Sequence, residues 1–517
     1  MWSSNVDKRA RLPRWAAIGA LGCSMLAAAD AIVVAARWPF TQERITRSLE
    51  GVTLSGVRIG SFRQTFLPFP GCIAENVVVS RGPVPLGRIR RLSIQSSWAA
   101  RIRLSHDLRR VRAEGLQLML PAHTPPPQRR ASAGASETNV REIIAGGALV
   151  EVARGSGKPP LRFQFPELRL QNVGMQKKME FRIAARQPLP QGRVWTAGTF
   201  GPWNAEDPGR TELSGSFKFH EADLATLDGV DGTLHAQGSF TGTLGAVQVR
   251  GHADTMEFGI KEKPNRVRLT TQYSCIVNAV TGDVVIEAVE ARFLDTMLRV
   301  DGRVAGEPGK SGKTATLQFK ADRARIEDLL RLFTSSPRPA LSGPIVLRAD
   351  VTAPPGDAPF LRRVRLNGGF RIQQARFMTL GTRDKVDKLS ARARGEELDT
   401  NGADEPGTVA ANLSGRALLR GGVARLSDVL FEVPGATARG GGTYDVISKQ
   451  VNLKGALSLD VGLSEMTGGL KSILLKPLEL FMRKNSRGGS VVPVSITGTV
   501  SRPVFKWSLT RKSGSGD

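Results

Sequence analysis

The stretch Val423–Val461, VARLSDVLFEVPGATARGGGTYDVISKQVNLKGALSLDV, sets the terms for the whole chain. Apolar residues fall on alternate positions: Val429, Phe431 and Val433, then Val451 and Leu453, then Leu457 and Leu459. A side-chain period of two belongs to half-buried antiparallel strands. Pro434-Gly435 supplies a turn, and Gly440-Gly441-Gly442 provides weak points where a sheet can bend or bulge. The stretch predicts a β-meander with one apolar face. Variations of the same pattern fill most of the sequence before it.

The upstream blocks differ in spacing but not in kind. In GTLHAQGSFTGTLGAVQVRGHADTMEFGI, Leu234, Ala236, Gly238 and Phe240 alternate, as do Val247 and Val249, and Met256, Phe258 and Ile260. Strands are expected near Leu92–Ile94, Val111–Leu120, Leu161–Leu170, Phe181–Ala185 and Leu213–Phe219, and again near Val267–Val277, Val284–Val289, Leu298–Val304 and Leu317–Ala321. Helical signals are few. Thr41 can cap a short helix with Ile45 and Leu49 on one face and Gly51 at its end, ahead of strand-like positions Val52, Leu54, Val57 and Ile59. Asp322 can cap a second, with Ile326, Leu329, Leu330 and Phe333 on one face, suited to plugging an end of the sheet or covering an edge. A third segment, SEMTGGLKSILLKPLELFMRKN, is basic and amphipathic, and either caps the sheet or lies on anionic lipid.

At 517 residues the chain could hold about three domains by length, yet the repetition argues for one elongated body. With 56 Gly, 30 Pro and 6% aromatic residues, many short strands and turns are favoured over packed helices. The formal charge of +26 suits an anionic membrane surface or simple solubility. It does not suit nucleic acid, because Arg and Lys are spread along the chain and two Tyr with seven Trp offer few stacking platforms.

Lys8, Arg9, Arg11 and Arg14 precede an apolar run from Trp15 to Trp38 broken by Asp30. This is either a signal anchor or a cleavable signal peptide. A span of roughly 20 residues and the flanking tryptophans favour the anchor, with the N-terminus cytoplasmic and the body outside. The expected organisation is a tail and anchor over 1–38, a β region over 39–120 and a Pro-rich linker over 121–142. Beyond these come a strand-repeat region over 143–340, a C-terminal β region over 341–510 and a tail over 511–517.

Three groups of residues point further. The N-terminal apolar run followed by PFTQERITRSLEG, VRIGSF, a Pro-Gly break and CIAENVVV resembles the N-terminal region of the AsmA-like family of Gram-negative envelope proteins. The segment Ala321–Phe377 is similar to the part of that family that precedes its C-terminal domain. The strand ending at Phe431, Pro434-Gly435, GGGTYDV, VNLKGALSLDV, the basic helix and PVSITGTVSRPVFKWSL resemble its C-terminal region. The resemblance covers about Trp38 to Leu509. It implies a mainly β fold: an N-terminal transmembrane helix, then an elongated, curled antiparallel sheet forming a U-shaped groove, with a few short helices. It implies a non-enzymatic protein anchored in the inner membrane with its bulk in the periplasm, binding or conducting phospholipid or another acyl lipid. Outer-membrane or assembly proteins are further expected partners, and a scaffold for outer-membrane protein assembly is the alternative role.

No residue is nominated as catalytic, metal-binding or cofactor-binding, and no cofactor is expected. GEPGKSGKT at Gly306–Thr314 has Glu307 where a phosphate-binding loop needs glycine, and ATLQFKAD after it alternates as a strand, so a hairpin loop is expected. His106, His123, His220, His235 and His252 lack metal-ligand spacing, although His235 and His252 sit in neighbouring strands. Cys23, Cys72 and Cys275 make no metal or disulfide framework.

Overall fold

The computed structural model describes residues 40–53, 55–81, 84–102, 107–120, 139–153, 159–174, 176–204, 206–227, 229–261, 263–307, 312–333, 339–356, 358–378, 409–459, 490–499 and 502–507, with scattered positions between 383 and 394. The segments expected to form an N-terminal anchor, the linker up to 138 and the basic amphipathic helix lie outside these residues. Among the described residues no helix is long and apolar enough to cross a membrane. The fold is mainly β with a few short helices. It divides into two compact units.

The first unit holds the described residues up to Phe258, with Thr270–Val289 and Arg303–Lys313. Helix α1 (Gln42–Thr53) opens it, and Ile45 and Leu49 are buried as their spacing predicts. The helix does not stop at Gly51, so Val52 is helical rather than strand-like. Strands β1 (Gly56–Arg58) and β2 (Ser61–Thr65) both pair with β3 (Gly71–Arg81), which pairs with β4 (Val84–Ser96). After the short helix α2 (Trp98–Ile102) comes β5 (Leu108–Leu120), antiparallel to β4. The next ladder corrects the expectation of an all-antiparallel sheet. β6 (Val140–Val152) runs parallel to β5, with Leu108 opposite Val140 and Leu120 opposite Val152. Parallel neighbours need a crossover connection rather than a tight hairpin; the sequence between them, taken as a linker to 142, gives way to strand at Val140.

From β6 the ladder is antiparallel through β7 (Leu161–Val173), β8 (Met179–Pro188), β9 (Gln191–Phe200) and β10 (Glu212–Asp223). It passes the two-residue β11 (Val230–Asp231) and continues with β12 (Thr233–Thr243) and β13 (Ala246–Ile260). Strands β14 (Val267–Val277), β15 (Val284–Phe293), β16 (Thr296–Gly306) and β17 (Lys313–Arg325) give residues to both units.

The second unit consists of Gly259–Leu269, Glu290–Gly302 and the described residues from Thr314 onward. Helix α3 (Ile326–Phe333) follows β17. The strands β18 (Leu341–Ser342) and β19 (Pro344–Ala353), helix α4 (Phe360–Arg363) and β20 (Arg365–Phe377) come next. Then β21 (Ala411–Arg420), β22 (Val423–Val433), β23 (Ala436–Asp445), β24 (Gln450–Leu459), β25 (Ser490–Thr499) and β26 (Arg502–Trp507) form a run of antiparallel neighbours. The meander predicted at Val423–Val461 is there: Pro434-Gly435 joins β22 to β23 with Gly435 at φ 83°, where glycine carries no steric cost.

The cores sit where the sequence packs apolar residues most densely. In the first unit one buried cluster joins Phe40, Ile45 and Leu49 to Cys72, Ile94, Leu108 and Val140, and another gathers Val150, Phe163, Phe165 and Leu168. Burial raises the Cys72 thiol from its ordinary value near 9 to about 12. The folded state therefore holds the proton where the unfolded chain releases it, so this contribution to stability is present below about pH 9 and falls as pH rises towards 12. Cys72 is expected to resist iodoacetamide in the native protein and to react once urea unfolds the unit. Labelling of Cys72 at the rate of half-buried Cys275, followed by mass spectrometry, would contradict that burial.

Candidate functional site: a half-covered apolar face

Within the first unit the burial pattern changes along the ladder. β7 alternates between buried and exposed residues, BeBeB over Leu161–Phe165, as a strand does when its inner face is packed. β9 and β12 alternate just as strictly, but between exposed and half-exposed residues, and neither strand contains a buried one. The ladder thus passes from a filled core to a face that its own chain only partly covers.

Registers show what lines that face. One cross-strand row is Phe181, Gly198, Gly215, Phe240 and Val249; the next is Ile183, Thr196, Phe217, Gly238 and Gly251. Directly paired residues share a face, so large rings and glycines lie side by side. The rings use the space that the glycines leave. Phe240 lies 6.4 Å from Phe181 and 6.5 Å from Phe217, both stacked, and a Cβ built on Gly215 would stand 2.7 Å from the Phe240 ring. Aromatic side chains laid over glycine are a known way to stabilise a bare strand position. Here they also tile the face with apolar area.

The intervening rows are polar. Arg182, Ala197, Ser216, Ser239 and Arg250 form one, and Trp195, Lys218, Gln237 and His252 another. His252 meets Gln237 at 2.9 Å and His235 lies opposite Asp254, so the two histidines singled out in the sequence do not meet. His235 instead approaches His220, at 5.7 Å between rings, next to the register pair Phe219 and Ala236. Among the described residues no cluster of His, Cys, Asp or Glu could hold a metal ion.

The second unit repeats the two-faced arrangement on its own strands. Its fully buried apolar residues, including Ala324, Ile345, Ala375, Ala411, Val433 and Leu459, stand at one end of β17 and β19–β24. Helix α3 covers that end with Ile326 and Leu329, as expected for a lone helix among strands. Further along, Leu317, Val351, Leu366 and Leu419 form an apolar row that is only half-exposed. The opposite face carries the row Lys320, Arg348, Gly369 and Arg416 over a shallow recess of about 400 Å³. These cations face Asp301, Asp322 and Asp428 at 3.1, 3.8 and 3.9 Å, so the recess carries little net charge for an anion.

Gly306 closes β16 and Lys313 opens β17, so the GEPGKSGKT sequence runs from strand to strand with no helix N-terminus behind it. Lys313 Nζ donates to Asp283 Oδ1 and to the Thr281 carbonyl, both at 2.8 Å. The hydrogen bond from Lys313 holds the Asp283 carboxyl below its ordinary range. The lysine that a phosphate loop would aim at a nucleotide is thus engaged in a cross-loop ion pair.

Comparison of the chain with family models, with curated proteins and with solved structures found no match. Fold and face define it in structural terms: a mainly β protein whose ladders carry one polar face and one half-covered apolar face.

Proposed function

We propose that this chain binds acyl lipid, most simply phospholipid, along the half-covered apolar face and passes it along the strands without catalysing a reaction. The observation that carries this reading is the alternation in β9 and β12, regular in phase yet never reaching burial. An apolar sheet face must be covered by a second sheet, a helix or a ligand, and β9 and β12 keep theirs half-open although β13 beside them buries Val247 and Ala253. The five ladder strands β8, β9, β10, β12 and β13 span about 19 Å at about 4.8 Å per spacing. That is somewhat more than the length of one lipid tail, about half of a roughly 30 Å hydrocarbon core. At about 0.8 kcal/mol per buried CH₂, even partial coverage of a tail gains several kcal/mol, enough to compete with the bilayer for it. Head groups would stay at the margin of the face, in water.

The resemblance to AsmA-like envelope proteins agrees with this reading and supplies its setting: an N-terminal anchor in the inner membrane, a body in the periplasm, a U-shaped groove, and a role in outer-membrane lipid homeostasis. The test is site-specific photocrosslinking in the full chain. A benzophenone side chain in place of Phe217 is expected to capture phospholipid, seen as a lipid mass on the purified protein. The same group in place of Lys218, on the opposite face of the same strand, is expected to capture none. Equal capture at both positions would overturn the proposal, and protein adducts at Phe217 would turn it towards the assembly scaffold.

A further inference from the structure

Three exposed large hydrophobic residues of the first unit, Phe66, Leu67 and Trp98, gather at one end of its strands. The turn between β2 and β3 carries Phe66 and Leu67, 55% and 84% exposed. Trp98, at the start of α2, is 44% exposed. The turn and the helix are neighbours, since Ser96 N donates to the Pro70 carbonyl at 2.8 Å and Gly71 pairs with Gln95. The Arg109 guanidinium lies 4.0 Å over the Phe69 ring, holding that residue to the body while Phe66 and Leu67 point into solvent. Exposed Lys177 belongs to the loop before β8, at the same end of the strands.

We propose that this turn, with Trp98 beside it, inserts into the interface of an anionic bilayer. Aromatic and large aliphatic tips fringed by Arg and Lys are the chemistry that partitions there, the rings at the head groups and the cations against lipid phosphate. A bilayer fits better than a protein partner for a reason of position. The apolar run of the sequence ends at Trp38, and Phe40, two positions later, belongs to the same buried cluster as Cys72, Ile94, Leu108 and Val140, which begin or end strands at this end. The chain therefore joins the body where the exposed tips stand. This rests on the lipid reading only in setting the protein beside a membrane.

The test uses full-length protein reconstituted in vesicles of phosphatidylethanolamine and phosphatidylglycerol. A nitrobenzoxadiazole fluorophore is placed on Leu67→Cys or, as a control, on Met119→Cys, with Cys23→Ser and Cys275→Ser; buried Cys72 remains. Met119 is also exposed but lies 11 positions along β5 from Leu108, at the far end of the strands. Emission at position 67 is expected to be blue-shifted and several-fold brighter, and quenched by lipids spin-labelled near the head group, while position 119 reports water. Water-like emission at 67 overturns the proposal, as does equal quenching at both positions. A blue shift that spin-labelled lipid does not quench also overturns it and assigns the turn to a contact between copies of the chain. Crosslinking at Phe217 is read on detergent-solubilised protein, so failure there and failure here are separate results.

Discussion

A Gly215→Val chain is expected to lose the structure of β9 to β12 while keeping the filled core around Val77 and Ile94. A Cβ at residue 215 would stand 2.4 Å from the Ala197 carbonyl oxygen and 3.0 Å from Gly198 Cα, both backbone atoms of the neighbouring strand that cannot swing aside. It would also meet the Phe240 ring at 2.7 Å, so the aromatic tile over this position must lift. Overpacking of this kind costs about 3 kcal/mol, and valine adds branches beyond the Cβ. Roughly 3 kcal/mol raises local opening by about 100-fold. Hydrogen exchange read by mass spectrometry over 191–243 should accelerate by that order while peptides from β3 and β4 hold their protection. Unchanged protection over 191–243 would mean that the close approach of β9 and β10 is not as described. The same variant should lose lipid capture at Phe217, because the row that holds Phe240 beside Phe217 is the one disturbed.

The second large effect is expected in the other unit, at Asp328. Its carboxyl is buried at the start of α3 and accepts from Asp295 N at 3.0 Å and from Thr296 Oγ1 at 2.7 Å. Thr296, itself buried, accepts in turn from Arg325 N at 3.0 Å. The helix is thereby fastened to the turn before β16 through two side chains that water does not reach. Asp328→Ala leaves the Asp295 N–H unpaired and Thr296 without its acceptor, at about 1–3 kcal/mol for each buried group. A loss of about 2–4 kcal/mol for this unit is expected, with Asp328→Asn intermediate because its amide oxygen can replace Oδ2, which accepts both bonds, but without the charge that strengthens them. Phe333→Ala on the same helix, at an exposed position, should stay within about 0.5 kcal/mol of the parent. Urea unfolding followed by exchange of the 326–333 peptide separates these cases. Equal behaviour of Asp328→Ala and Phe333→Ala would remove Asp328 from any structural role.

The range of the forces involved decides which features were legible in the sequence. Strand alternation is local, so Leu234–Phe240 and Val451–Leu459 could be read directly, and the Pro434-Gly435 turn with them. Helix ends depend on the ladder around them as well as on their own residues. Asp322 looked like a cap, but a bulge between Ala321 and Ala324 keeps the chain in its ladder to Arg325, and the helix begins at Ile326. The buried side chain near its end is then Leu332, not Phe333. Thr255 is buried and Met256 exposed, so the phase that joins Met256 to Phe258 and Ile260 breaks inside β13. The parallel pairing of β5 with β6 left no trace in composition, since a Pro-rich stretch looks alike whether it joins parallel or antiparallel neighbours. Of the candidate site, the alternation gave the apolar face; that it is half-covered along β9 and β12 but filled along β7 is a property of the strands' surroundings and has no local signal.

The ladder from β6 to β13 pairs each long strand with its immediate predecessor and successor, a one-dimensional array in the thermodynamic sense. Its stability is then close to a sum of nearest-neighbour couplings rather than the yield of a single nucleus. Removing a whole hairpin, two strands at about 4.8 Å each, would shorten the array by about 10 Å and bring its flanking strands into the same kind of contact that they already make. Reach can thus be gained or lost in hairpin-sized steps, each leaving the period-two code of the remaining strands untouched.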